Sequence, residues 1–73
     1  MDKGAEQEKA AAEIMRMFRY FYQDEWAPEH LFDGKSRVWI QVFNNLVKEG
    51  LIKRRKKQFG FEYKWNAEFP DYY

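Results

Sequence analysis

The feature that most constrains the fold is a change of hydrophobic period at Gly50. Before this glycine, apolar residues recur at three- and four-residue steps: Trp39, Val42, Phe43 and Leu46. This spacing predicts an amphipathic helix over residues 36–49, with Ser36 or Asp33 as its N-cap. After it, residues 61–65 alternate apolar and charged side chains, which predicts a half-buried strand. Since glycine commonly follows the last residue of a helix, the sequence predicts a helix that ends at Gly50 and leads into a β-hairpin.

The predicted hairpin carries five consecutive cations: Lys53, Arg54, Arg55, Lys56 and Lys57. Its tip is expected near Lys56–Gly60, because Gln58-Phe59-Gly60 separates the cations from the alternating strand. Runs of Lys and Arg supply the phosphate contacts that dominate affinity for nucleic acids. Lysines also protect exposed strand edges from aggregation, so the run alone has two interpretations.

The polar face of the predicted helix carries Arg37, Gln41, Asn44 and Lys48, at steps of four, three and four residues. Arg, Gln and Asn have donor and acceptor groups that match base edges in the major groove of DNA. A polar stripe is also the ordinary solvated face of an amphipathic helix. Its position directly before a basic hairpin favours the nucleic-acid interpretation.

The N-terminal half is predicted to contain two helices, which makes three in total. The first spans Ala5 to about Gln23 and has an apolar stripe that faces the core: Ala10, Ile14, Met17, Phe18 and Phe21. Pro28 favours the first turn of a short second helix over 28–32, and Asp33-Gly34 predicts a turn after it. The predicted fold is therefore α+β, a single domain over 1–73 with flexible ends at 1–4 and 70–73.

Charge is distributed unevenly along the chain although the net charge is only +1. Residues 1–34 hold four Lys or Arg and eight Asp or Glu, while residues 35–73 hold nine and four. Such polarity orients a protein on a charged partner. No apolar run is long enough to span a membrane, and the N-terminus has no signal-peptide core, so a cytoplasmic location is expected, nucleoid-associated in a prokaryote.

Little in the sequence suggests catalysis. There is no cysteine and His30 is the single histidine, so a zinc site would need carboxylates such as Glu29 and Asp33. No glycine-rich phosphate loop, nucleophile–base pair or metal-ligand spacing is present, and neither an enzyme nor a cofactor is expected. The aromatic residues fit core positions better than stacking platforms for single strands. Phe59 differs, because burial is difficult at a hairpin tip; it could insert into a groove or pack on a partner.

The phrase LVKEGLIKRRKKQFGFEYKW resembles the winged helix-turn-helix superfamily of DNA-binding proteins, in which a helix end, a glycine and a basic strand follow in this order. The resemblance covers about Ala5 to Trp65, and the small size is similar to that of regulators from archaea and their viruses and plasmids. It implies three helices and a hairpin wing, in a sheet that has two strands, or three if Trp26 supplies a minimal third strand. The short connection after the first helix, without an obvious strand, departs from the pattern.

The resemblance also implies which residues contact DNA. The helix over 36–49 would enter the major groove and the wing over 53–60 would follow the backbone or reach the minor groove. The implied contacts from the helix region are Lys35, Ser36, Arg37, Gln41, Asn44, Asn45 and Lys48. Those from the wing are Lys53, Arg54, Arg55, Lys56 and Lys57.

We therefore expect a sequence-specific regulator of transcription that binds double-stranded DNA. A homodimer is expected through the first helix (Met15, Tyr22) and the aromatic tail (Phe69, Tyr72, Tyr73), because one small module buries little surface on DNA. Two alternatives use the same fold. The domain could bind another protein within a larger assembly, or it could bind DNA without sequence preference in an architectural or replication role.

Overall fold

The computed structural model describes residues 3–69 and has an α+β architecture with two α-helices. In chain order the elements are α1 (Lys3–Arg16), a π-helical segment (Met17–Tyr22), β1 (Ala27–Pro28), a 3-10 turn (Glu29–Phe32), α2 (Arg37–Lys48), β2 (Ile52–Lys57) and β3 (Gly60–Trp65). The tail residues Tyr72 and Tyr73, and the expected flexible ends at 1–2 and 70–73, lie outside the described residues. Lys3 and Gly4, also expected to be frayed, are in α1.

The prediction of three helices is wrong, because residues 3–69 contain two α-helices. The second is a single 3-10 turn of four residues, not a helix that begins at Pro28. Pro28 instead has extended backbone angles (φ −76°, ψ 162°) and belongs to β1. With a strand on one side and the Asp33-Gly34 turn on the other, too few residues remain for an α-helix. Leu31 is nevertheless buried, as predicted.

The first helix changes its winding before it ends. From Met17 the backbone is π-helical, and the N–H of Gln23 donates to the carbonyl of Phe18, five residues earlier, at 2.8 Å. This wider turn brings Tyr22 over Phe18, with ring centroids 6.0 Å apart, and turns Phe21 outward. Phe21 was predicted to face the core and is 76% exposed, because the prediction assumed a regular α-helical period.

The sheet has three antiparallel strands in the order β1-β3-β2. Ile52 pairs with Trp65 and Lys57 with Gly60, so the connecting loop is Gln58-Phe59 alone. The third strand exists at Ala27–Pro28, one residue beyond the Trp26 expected from the sequence, and pairs with Tyr63 and Glu62.

The core is largely aromatic and lies between the helices and one face of the sheet. Phe43 is fully buried, and its ring lies near those of Phe18, Phe32, Trp39 and Tyr63, at centroid distances of 4.9–6.0 Å. Each such ring removes a large apolar area from water, which lets a short chain without disulfides form a core. The expected burial of Trp39, Phe43, Tyr63 and Trp65 is confirmed, while Phe61 is only half-buried.

Two caps fix the ends of α2. The hydroxyl oxygen of Ser36 accepts from the N–H of Trp39 at 3.1 Å, as an N-cap does. At the other end Gly50 has φ 86°, its N–H donates to Val47, and the N–H of Leu51 donates to Leu46. These two bonds form a Schellman motif and set the direction in which β2 begins. The molecule measures 40 × 27 × 21 Å, and within residues 3–69 no helix is long and apolar enough to cross a bilayer.

Candidate nucleic-acid interface

The exposed face of α2 carries all the residues that the sequence singled out on this helix: Arg37, Gln41, Asn44, Asn45 and Lys48. The buried face, formed by Trp39, Phe43 and Leu46, holds the helix against the core. Within the described part of the chain, no ion pair or side-chain hydrogen bond engages Arg37, Gln41, Asn44 or Lys48. Their polar groups are thus available to a partner.

The two residues just before α2 that were predicted to contact DNA, Lys35 and Ser36, already interact with other parts of the protein. Lys35 lies 3.7 Å from a carboxylate oxygen of Glu13 on α1, and its Nζ is 5.3 Å from the ring centre of Trp39. Ser36 forms the N-cap. These residues position the start of α2, so the part of the predicted set that is free begins at Arg37.

A groove joins α2 to the hairpin. It has a volume of about 480 Å³ and is lined by Asn44, Asn45, Val47, Lys48, Arg54 and Tyr63. Burial raises the pKa of Tyr63 above 10.0; the charge of Glu29 adds to this and that of Arg54 opposes it, so Tyr63 is neutral at pH 7. The groove therefore brings amides and two cations from separate elements onto one concave surface.

The five cations of β2 are divided between the two faces of the sheet, because side chains alternate along a strand. Arg54 pairs with Tyr63, whose side chain is buried, so Arg54 and Lys56 lie on the helix side. Lys53, Arg55 and Lys57 lie on the opposite side. All five are exposed, since only Ile52 of this strand is buried.

Glu62 holds two of these cations, which the sequence reasoning did not foresee. Arg55 Nε donates to Glu62 Oε1 at 2.8 Å, and Lys57 Nζ lies 2.7 Å from Oε2. The residue is only 8% exposed. The hydrogen bond from Lys57 lowers the pKa of Glu62 below its ordinary value; burial opposes this, and the bond from Arg55 reinforces it. At neutral pH the three side chains carry a net charge of +1, so the wing is less cationic than its sequence.

Aromatic rings lie against two of the wing cations. The guanidinium of Arg55 lies 4.1 Å from the ring centre of Trp26, and that of Arg54 lies 4.7 Å from Phe61. Cations over ring faces are attracted to them, which restricts these long side chains. This contact of Trp26 with the wing cations was not predicted. The pairing of Ala27 with Tyr63 places Trp26 opposite Lys64, so this strand register would have indicated the contact.

Comparisons with protein families, with curated proteins and with solved structures find no match to this chain. Within residues 3–69 no three His, Cys, Asp or Glu side chains are grouped so that they could hold a metal ion.

Proposed function

We propose that this protein is a winged-helix regulator of transcription that binds double-stranded DNA sequence-specifically. In this arrangement α2 lies in the major groove and the hairpin follows the backbone into the adjacent minor groove. The DNA partner, the superfamily and the regulatory role are all part of the proposal.

The observation that carries the proposal is the continuity between α2 and the wing. Arg37, Gln41, Asn44 and Lys48 are exposed on one helix face and have no ion-pair or side-chain hydrogen-bond partner within residues 3–69, and the groove connects this face to Arg54 on the hairpin. Donor forks for base edges thus adjoin cations for phosphates, which is the combination that specific DNA binding requires.

Ion pairs within the hairpin separate the wing cations into two groups, those with a carboxylate partner and those without one in residues 3–69. Lys53, Arg54 and Lys56 lack a carboxylate partner within residues 3–69 and are the strongest candidates for phosphate contacts. Arg55 and Lys57 share the charge of Glu62, so each contributes less than an unpaired cation would. Both remain about half-exposed and can still approach phosphate.

The first experiment measures binding of a labelled random-sequence duplex at about 50 and 200 mM salt, where counterion release makes phosphate-dominated affinity fall steeply. Steep salt dependence would support the polyanion surface, and selection from a pool of duplexes would then yield a preferred site. If the duplex is bound at neither salt concentration, the proposal is refuted and a protein partner becomes the function to test.

Variants of α2 test the groove assignment. On the selected site, Arg37→Ala and Asn44→Ala should each cost about 1–3 kcal/mol and relax the sequence preference. Arg16→Ala on α1 is the matched control, since it removes the same charge from an exposed position on another element. If Arg37→Ala and Asn44→Ala bind both selected and random DNA as the wild type does, α2 does not read the bases.

A protein partner is the second candidate function, favoured by the exposed rings of Tyr20 and Phe21 on the π-helical segment. The homodimer expected through the first helix belongs to this question. Tyr22 packs on Phe18, and Phe69 stacks on Trp65 at 5.2 Å, so both are occupied within one chain. Phe21 also packs edge-on against Tyr22, at a centroid distance of 4.8 Å, but it remains 76% exposed, so a second copy or another protein could cover it. Light scattering with the wild type and Phe21→Ala tests self-association.

A further inference from the structure

The loop at the tip of the hairpin exposes an aromatic ring that the proposed contacts do not use. Phe59 is 89% exposed, the highest value among the large apolar side chains in residues 4–69. The loop contains only Gln58 and Phe59, and β2 has no buried residue after Ile52. The five steps from Ile52 to Lys57 extend the strand by about 17 Å, so the ring lies well away from the core.

The hairpin behind this ring is stiffened by several side-chain contacts. Glu62 links Arg55 and Lys57 within the two paired strands, and Arg54 lies over Phe61. On the other edge a carboxylate oxygen of Glu29 accepts from the N–H of Phe61 at 3.4 Å and lies against Gly60. A ring held on a rigid support loses little conformational freedom when it inserts into a partner.

The charges near the tip determine which side can approach a polyanion. Lys56 and Lys57 end β2 immediately before the loop, whereas Glu29 lies beside Gly60 on the β1 side. Phosphates are therefore attracted to the β2 side and repelled from the other. With the wing directed into the minor groove as proposed above, its β2 side would follow a phosphate row and Phe59, at the tip, would lie nearest the bases.

We propose that Phe59 is a wedge that inserts between base pairs from the minor groove and kinks the duplex. Apolar side chains that enter the minor groove unstack a base step and bend the DNA toward the major groove. This inference rests on the proposed DNA binding, and it adds that pyrimidine–purine steps, which unstack most easily, are preferred beneath the wing.

The test uses duplexes of about 30 base pairs that contain TA steps, the most easily unstacked class. They carry 2-aminopurine in place of adenine at those steps and a donor and an acceptor dye at the two ends. With the wild type we expect a rise in 2-aminopurine fluorescence, which reports unstacking, and a rise in energy transfer, which reports bending. Phe59→Ala should abolish both signals and weaken binding about tenfold, within the range for loss of one stacked ring.

Two further variants make the result specific. Phe59→Leu should retain part of both signals, because leucine also acts as a wedge. Arg16→Ala, the control on α1, should leave both signals unchanged. Phe59 and Arg16 are both exposed, so these substitutions do not put folding at risk.

Failure of the wedge is distinguishable from failure of the proposed function. If the wild type binds these duplexes without either signal, or if Phe59→Ala gives the same signals as the wild type, the wedge is refuted and DNA binding stands. If Phe59→Ala lowers the mass measured by light scattering without DNA, the ring is a contact between copies and the wedge is likewise refuted. If no duplex is bound at all, both proposals fall.

Discussion

A carboxylate lies at the centre of the basic hairpin, where the register of β2 and β3 places Glu62 opposite Arg55. Because Lys57 lies two residues further along β2, on the same face, one glutamate pairs with two cations and leaves a net charge of +1. The exposed cation run is therefore partly an internal ion-pair network. Surface pairs contribute little to stability in general, but this carboxylate is buried and hydrogen-bonded on both oxygens.

The lowered pKa of Glu62 predicts a pH dependence of folding. A carboxyl group whose pKa is lower in the folded than in the unfolded protein stabilises the fold above its ordinary pKa of 4.5. This contribution is lost as the pH falls below that value and through the lowered pKa. Glu62→Gln should reduce the free energy of unfolding at pH 7 and bring it closer to the wild-type value at acid pH. Urea titrations of both proteins across this pH range measure the difference, and parallel curves would contradict it.

We expect the same substitution, Glu62→Gln, to strengthen DNA binding although it destabilises the fold. Glu62→Gln keeps the shape of the side chain but releases the charges of Arg55 and Lys57. Affinity for a random duplex should rise at low salt, and the plot of log affinity against log salt should steepen by about one unit or more. Glu68→Gln, which removes the same charge from an exposed position after β3, is the control. Equal slopes for the wild type and Glu62→Gln would mean that phosphates do not contact these two cations.

At the scale of elements, the link between α2 and β2 depends on the backbone of Gly50. Its φ of 86° is a conformation that side chains disfavour, and an added Cβ would meet no atom within 4 Å. Gly50→Ala should therefore lower the free energy of unfolding by about 1–2 kcal/mol through backbone strain alone. Gly50→Asn should cost less, because asparagine tolerates this conformation better. Thermal unfolding of the two variants checks the order, and an equal loss for both would assign the cost to something other than φ.

Element by element, the sequence is most informative where local signals agree. Around α2 the apolar stripe, Ser36 and Gly50 all indicate the same boundaries, and the helix indeed spans Arg37–Lys48 with these caps. The hairpin was predicted for a similar reason, since alternation and a glycine flank a short loop. The candidate residues on α2 were correctly placed on its exposed face, because helical periodicity alone decides which side a residue occupies.

The remaining features depend on tertiary contacts. The π-helical segment at 17–22 is too short for its period to be recognised in the sequence, so Phe21 was assigned to the core and Tyr22 to the dimer interface. The 3-10 turn after Pro28 is set by the pairing of β1 with β3, which no local signal reveals. The pairing of Glu62 with Arg55 and Lys57 follows only once the loop is known to contain two residues.

At the scale of the whole molecule, stability depends on one aromatic cluster. Phe43 is fully buried and contacts rings from the first helix, the 3-10 turn and β3. Phe43→Ala should cost about 3–5 kcal/mol, comparable to all that a single core of this size supplies. We expect this variant to be largely unfolded at 25 °C by circular dichroism, whereas Phe59→Ala should match the wild type. A cooperative, near-native melting curve for Phe43→Ala would show that stability resides elsewhere.

The dimensions of the molecule limit the length of duplex that one copy can cover. Its longest axis of 40 Å corresponds to about 12 base pairs at about 3.4 Å each, little more than one helical turn. Half-sites read from the same side of a duplex lie about 34–36 Å apart. Because 40 Å exceeds this spacing, two copies on successive half-sites would be in contact if their long axes followed the duplex. On such a site the DNA itself could bring the copies together, whether or not they associate in solution.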